Sequence, residues 1–315
     1  VTVNDAFVLQ STVTLASAVV LDLALGEPRR LHPLVGFGRC AQAVERRLNR
    51  GGRAARVWLG GGALLVVTAP PVAAIAALSC APLHWTAAVA ADALVLYFAL
   101  GLQSLGRHAH AVAAVLGAGD LARAREAAAH LVSRDVDALD ATGVAVAAAE
   151  SALENGNDAV FGVVFWYLVL GLPGALAYRL VNTLDAMWGY RNARFGAFGQ
   201  CAARLDDAMN FVPARVTAFC YALGGDFLCA LKCWREQGRR WKSANAGAVM
   251  AAGAGALSLS LGGAAVYAGQ MQPRPRLGTG AAPAAVDITR AVNLVHRALV
   301  LWLLLAAAVE LGLAL

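Results

Sequence analysis

Predominantly apolar runs as long as a bilayer is thick limit what this chain can become more than any other feature of it. The hydrocarbon core of a bilayer takes about 20 consecutive apolar residues as a helix. Residues 7–26, 57–80, 86–106 and 298–315 read as such spans. Backbone N–H and C=O groups find no water in hydrocarbon, so each span is expected to be helical. Composition agrees: 59% of the residues are hydrophobic and 15% are charged, where soluble domains carry about 25% charged residues. The fold class expected is an all-α, polytopic integral membrane protein with broken or re-entrant helices and cytoplasmic helical connectors. No composition shift marks a separate soluble domain, so residues 1–315 are read as one integral membrane domain. The N-terminus has no basic n-region and no A-x-A-like cleavage site, and the first apolar run is expected to stay as an anchor.

Charge sets the expected topology. The segment 27–56 holds eight Arg against two Glu, an excess that marks a cytoplasmic connector. The net charge of +6 therefore reads as topology, and no nucleic-acid partner is expected. Residues 107–158 are more polar, with an amphipathic helix whose apolar side is Leu121, Ala124, Ala128 and Leu131, then an Ala-rich helix over 136–155. Proline withholds its N–H, so Pro70-Pro71 is expected to kink the second span. Three stretches are ambiguous between spanning and re-entry: 159–181, with Gly171-Leu172-Pro173-Gly174 at its middle; 211–231, interrupted by Pro213, Arg215 and Asp226; and the Gly/Ala-rich 246–266. Small residues in the last suit close helix packing. Residues 182–210 and 232–245 complete the expected cytoplasmic segments, and 270–287 reads as a Pro/Gly-rich loop.

Several chemistries are excluded by motif. The six cysteines contain no CxxC pair, which speaks against structural zinc and a disulfide framework. No G-x-x-x-x-G-K-[ST], G-x-S-x-G or H-E-x-x-H occurs. The GFGRCA stretch fits G-x-G-x-x-A without a strand–helix–strand unit around it.

Three constellations could carry chemistry. In ESALENGND, Glu150 and Glu154 lie one helical turn apart with Asp158 beyond. Two carboxylates at that spacing repel unless a cation lies between them, and Mg²⁺ accepts such oxygens while keeping waters; a solvated acidic face is the plainer alternative. In NTLDAMWGYRNARFGAFGQCAARLDD, a helix would put Asn182, Asp185, Gly189 and Asn192 on one stripe. Arg191 and Arg194 flank it, and Arg204 and Asp207 follow three apart. Arg grips phosphate through paired hydrogen bonds, although Arg–Asp bridges at a membrane interface would use the same residues. In KSANAG, Lys242, Ser243 and Asn245 stand at a helix start, suited to phosphate or to a simple N-cap.

Taken in order, LDLALGEPRRLHPLVGFG, SRDVDALD, AAAESALENGND, the 182–207 stretch, NFVPAR, SANAG and LGGAAVYAG resemble the CbiB/CobD membrane proteins of cobalamin biosynthesis, the cobinamide-phosphate synthase family. The resemblance covers nearly the whole chain. It departs at Glu27, where Asp is expected, at Gly156-Asn157, where a Ser/Thr pair is expected, and at Ala244, where Pro is expected. It implies an ATP-dependent amide ligase that joins adenosylcobyric acid to (R)-1-aminopropan-2-yl phosphate, or a related amino-alcohol phosphate, through an acyl phosphate. It implies Mg²⁺ and ATP, and a site facing the cytoplasm in the bacterial inner membrane. It further implies Glu150, Glu154, Asp158 and Asp185 as metal ligands or proton acceptors. Arg191, Arg194 and Arg204 would hold phosphates, with Asp207 orienting Arg204 or sharing a metal. Asn192, Lys242 and Asn245 are further candidates for the phosphate-bearing ligands. Membrane lipid, a homo-oligomer or a soluble pathway partner are expected associations. Two rivals remain. One is a transporter, suggested by Asp22, Asp92, Asp226 and Glu310 in or near apolar runs but lacking an inverted repeat. The other is a non-catalytic scaffold for pathway enzymes.

Overall fold

The computed structural model describes residues 9–28, 32–132, 134–267 and 269–314; parts of the 7–26 run and of the EPRRLHP, SRDVDALD and LGGAAVYAG motifs lie outside them. It is 76% helical. In chain order the helices are α1 (Gln10–Leu25), α2 (Pro33–Leu48), α3 (Arg53–Ser79), α4 (Trp85–Ala99), α5 (Leu102–Gly117), α6 (Leu121–Ala129), α7 (Ala141–Gly156), α8 (Gly162–Trp188), α9 (Gln200–Met209), α10 (Phe211–Leu223), α11 (Phe227–Gln237), α12 (Ala244–Leu257) and α13 (Ala285–Ala314). Among the described residues, four helical stretches are long and apolar enough to cross a membrane: Arg53–Ser79, Trp85–Gly117, Ala141–Trp188 and Ala285–Gly312.

Local chemistry accounts for several helix starts. Asp120, Asp140, Asp226 and Ser243 each accept a backbone N–H at the start of α6, α7, α11 and α12, satisfying a donor the first turn leaves over. The Asp140 cap explains why α7 begins at Ala141 and not at Val136. The chain leaves α7 through a π turn at Asn157–Phe161 and enters α8. The break expected in GLPG is present: Gly171 sits at φ 64°, ψ −159°, a conformation open essentially to glycine alone.

Other expected breaks move. α3 continues as a helix through Pro70 and Pro71. The run 86–106 is not one helix, because α4 stops at Ala99, Leu100 is extended and α5 begins at Leu102. In 211–231 the interruption falls between Leu223 and Phe227. Pro213 is the third residue of α10, where its missing N–H would have had no partner in any case. The final helix is longer than the apolar run 298–315 and starts at Ala285.

The residues divide into two compact units. The first comprises Val1–Gly101, Asp158–Asn210 and Leu305–Leu315. Its core joins α2, α3, α8 and α9 through Ala41, Ala63, Leu64, Val67, Leu184, Trp188, Phe198 and Ala202. Trp188 and Phe198 meet edge to face with ring centroids 5.1 Å apart. The second unit comprises Leu102–Asn157 and Phe211–Leu304. There α12 is buried from Asn245 to Leu257. Its glycines let neighbouring backbone come close: a methyl on Gly255 would lie 2.7 Å from the Ala230 Cα, and one on Gly247 would overlap the Gly238 carbonyl. Small-residue packing of this kind is what the Gly/Ala run led one to expect. Two short antiparallel pairs follow, β1 (Leu261–Gly262) with β4 (Arg276–Leu277) and β2 (Ala265–Tyr267) with β3 (Gln270–Gln272). Sequence reading missed them, since strands of two or three residues leave no alternating pattern.

Gly60 of α3 has one of the tightest requirements in the first unit, for a methyl there would overlap the Phe198 carbonyl. Gly60→Ala is expected to destabilise the detergent-solubilised protein by about 1–3 kcal/mol, read as a lower unfolding midpoint. Gly62→Ala, whose methyl would meet nothing within 4 Å, is expected to leave the midpoint unchanged or slightly raised.

Candidate functional site

The polar connector that follows the broken helix is only partly a loop. Asn182 and Asp185 belong to the last turns of α8, which ends at Trp188. Residues 189–199 then fold as turns, and α9 carries Arg204, Asp206 and Asp207. The predicted stripe therefore holds for Asn182, Asp185 and the cap Gly189, while Asn192 lies beyond the helix. The Asn192 Oδ1 accepts from the N–H of Arg194 at 3.0 Å and of Phe195 at 2.9 Å, a local turn that such side chains favour.

This connector lies against the α2–α3 hairpin. Arg194 donates twice to Glu45, Nε to Oε1 at 3.0 Å and Nη2 to Oε2 at 2.7 Å. Asn49 Nδ2 donates to the Arg194 carbonyl at 3.0 Å, and Arg56 Nη1 to the Ala193 carbonyl at 3.0 Å. Glu45 is buried, and the hydrogen bonds from Arg194 hold its carboxyl below the usual range against the opposing effect of burial.

Behind the connector lies a polar network within the same unit. Asp206 accepts from Asn182 Nδ2 at 3.2 Å and from Asn210 Nδ2 at 3.1 Å. Tyr178 bridges through its hydroxyl to Asn210 Oδ1 at 2.9 Å and to the Asp158 carbonyl at 3.2 Å. Burial raises the Asp206 carboxyl above its ordinary value, the two amides oppose the rise, and the Asp207 charge adds to it. Asp185 is half-buried and feels the charges of Asp206 and Asp207. Asp158 is half-buried and acts electrostatically on Arg179. Arg191, Arg204 and Asp207 are exposed.

Sequence reasoning chose Asp207 and passed over its neighbour Asp206. The helical period held the signal: Asp206 is four residues from Ala202, and both are the buried positions of α9. Glu45, Asn49 and Arg56 were also missed, because only the fold brings them to Arg194.

In the second unit Glu150 is held differently from the cation-bridging arrangement expected. Its Oε1 accepts from the Gly262 N–H at 2.7 Å and from Arg274 Nη2 at 3.3 Å, and its Oε2 accepts from Arg274 Nη1 at 3.1 Å and from Arg134. Four hydrogen bonds take up the roughly four acceptor positions of a carboxylate. Arg274 also stacks over Trp241, 5.0 Å from the ring centre. Glu154, one turn on, is half-buried. Asn245 is buried, and its Oδ1 accepts from Arg215. Lys242 is exposed.

Among the described residues no three His, Cys, Asp or Glu side chains gather as a metal cage. Mg²⁺ needs no such cage, being held by one or two carboxylates with phosphates and waters. Asp185 and the exposed Asp207, whose charges repel, are oxygen donors of the kind Mg²⁺ takes, while Asp206 is held by its two amides. Three acids that suggested a transporter have structural partners: Asp226 caps α11, Asp92 accepts from the Tyr167 hydroxyl at 3.4 Å, and Glu310 accepts from the Ser11 and Thr12 N–H groups at 2.9 and 3.2 Å.

Apolar helices of membrane-crossing length, with a polar Asp- and Arg-bearing connector after a glycine-broken one, define a polytopic helical membrane protein. The chain belongs to the CobD/CbiB family of cobalamin biosynthesis, whose family model, described as CobD/Cbib protein, matches residues 15–295. A relative in Stutzerimonas stutzeri named cobalamin biosynthesis protein CobD is 52% identical over 290 residues, covering 91% of this chain and 94% of the relative. Relatives of the same name in Chromobacterium violaceum and Mycobacterium tuberculosis are 50% and 40% identical. The first covers 96% of this chain and 99% of its own length, the second 87% and 88%. No solved structure matches.

Removing Glu150 would strand two poorly exposed guanidiniums. Glu150→Ala is expected to cost about 3–5 kcal/mol of stability in chelator-treated protein, measured by denaturant unfolding. A Glu150 that served mainly to bind metal would show no such loss without the metal.

Proposed function

We propose that the protein is an ATP-dependent amide ligase. It joins adenosylcobyric acid to (R)-1-aminopropan-2-yl phosphate, or a related amino-alcohol phosphate, to give adenosylcobinamide phosphate, ADP and phosphate. The observation that carries this reading is the connector of the first unit. Carboxylates at Asp185 and Asp207 and guanidiniums at Arg191, Arg194 and Arg204 lie on one short segment, docked through Arg194 onto Glu45, in a chain of the cobalamin-biosynthesis family.

A carboxylate cannot be displaced by an amine directly, because its leaving group would be oxide or hydroxide. Attack of the corrinoid carboxylate oxygen on the γ-phosphorus of ATP expels ADP and leaves an acyl phosphate. The amine lone pair then adds to the acyl carbon, phosphate departs, and the nitrogen loses a proton. Arg191, Arg194 and Arg204 would hold phosphoryl oxygens as charge moves from carboxylate to phosphate. Asp185, the half-buried acid of the group, would take the ammonium proton, with Asp158 balancing Arg179. Bound Mg²⁺ would be held by Asp207 with phosphate oxygens and waters and would supply charge neutralisation on the triphosphate. In the second unit the same reading keeps Glu154, Lys242 and Asn245 as positions to probe by substitution, and assigns Glu150 to structure. ATP is a cytoplasmic substrate, so the connector is assigned to the cytoplasmic side of the bacterial inner membrane.

The test supplies purified protein with adenosylcobyric acid, the amino-alcohol phosphate and Mg-ATP, and detects the amide by mass. Product is expected only when all three are present, with a rate about 100-fold lower in Asp185→Asn. Undiminished turnover in Asp185→Asn would remove that residue from the chemistry. Folded protein that binds the corrinoid yet forms no amide would favour the scaffold.

A further inference from the structure

We infer that the pocket between the α2–α3 hairpin and the connector, lined by Glu45, Arg46, Asn49, Arg56 and Arg194, is a binding site for a phosphate group. The pocket has a volume of about 300 Å³. Its lining brings three guanidiniums against one carboxylate. Arg194 and Glu45 neutralise each other through their paired hydrogen bonds. Arg46 and Arg56 have no carboxylate within ion-pair distance among the described residues. The site therefore carries a net excess of two positive charges in one polar concavity.

Arg56 adds a second, independent observation. Its Nη1 is committed to the Ala193 carbonyl, while its Nε is buried without any hydrogen-bond partner. An N–H of a cation left in that state costs free energy that an anionic oxygen would recover. Guanidiniums meet phosphate with two parallel hydrogen bonds, and a pair of them balances a phosphate dianion. The unpartnered Asn49 Oδ1 beside them offers an acceptor to a hydroxyl or ammonium on the same ligand. The volume suits a small phosphate monoester or one lipid headgroup. Either source is in reach, because Arg56 precedes the apolar length of α3 and Trp58 is 82% exposed, as an interfacial side chain would be.

The inference extends the role proposed for Arg194 in the ligase reading, but its test requires no turnover. Intact phosphate binding in a protein without ligase activity would sink the reaction and keep the site. Ligase activity without phosphate binding here would do the reverse.

The experiment titrates detergent-purified protein calorimetrically with inorganic phosphate and then with O-phosphoethanolamine. In parallel, native mass spectrometry counts phosphatidylglycerol retained from nanodiscs made of phosphatidylglycerol and phosphatidylcholine. Saturable binding that weakens about tenfold in Arg46→Gln and in Arg56→Gln, and is unchanged in Arg123→Gln, is expected. Displacement of the retained lipid by inorganic phosphate would identify a soluble ester as the ligand. Retention of phosphatidylglycerol that phosphate cannot displace, and that both substitutions abolish, would identify the headgroup. Arg46 is exposed, so Arg46→Gln tests the site even if Arg56→Gln fails to fold. Absence of binding in every arm, or binding indifferent to both substitutions, would overturn the inference.

Discussion

The first unit depends on how closely the chain after α8 can lie on α3. At Gly60 the Phe198 carbonyl occupies the place of a side chain, and at Gly199 the Trp188 carbonyl does the same. With those two backbones in contact, Trp188 and Phe198 fall into the core and Arg194 reaches Glu45. The polar residues of the connector are thus aimed by apolar packing. A buried carboxylate such as Glu45 is costly unless paired, and the pairing works in both directions. The hairpin needs Arg194 to neutralise Glu45, and the connector needs Glu45 to fix its course.

The second unit solves a comparable problem with other means. α12 is too poor in large side chains to make a core of its own, so its Gly and Ala residues admit neighbouring backbone. Glu150 pins the segment around β1 and β4 to α7 by accepting from Gly262 and Arg274. Buried ion pairs often add little to stability compared with apolar replacements, but they specify one arrangement. Here the arrangement places a segment whose strands are too short to hold themselves.

Much of the architecture was legible in the sequence. Hydropathy located the long helices, and the glycine in GLPG located the break, because Gly171 adopts a backbone conformation that other residues resist. Caps at Asp120 and Ser243 follow ordinary side-chain chemistry. The break after Ala99 was not legible, since Leu100-Gly101 sits in an unbroken apolar run and hydropathy is silent on backbone direction. The acids and Arg of the 182–207 stretch could be named as candidates from their spacing. Their partners could not. Glu45 is 149 residues from Arg194, and Arg134 and Arg274 lie 16 and 124 residues from Glu150. Such pairs are set by tertiary packing. Spacing along one helix, which suggested that Glu150 and Glu154 share a cation, carries no knowledge of a guanidinium arriving from elsewhere.

The central claim is that ATP activates the corrinoid carboxylate as an acyl phosphate in a site built on this connector. Adenosylcobyric acid carrying heavy oxygen in that carboxylate, turned over with Mg-ATP and the amino-alcohol phosphate, tests it most directly. The account predicts that one labelled oxygen from each carboxylate appears in the released inorganic phosphate, because that oxygen becomes the bridge of the acyl phosphate. Amide formed with no label in phosphate would contradict it.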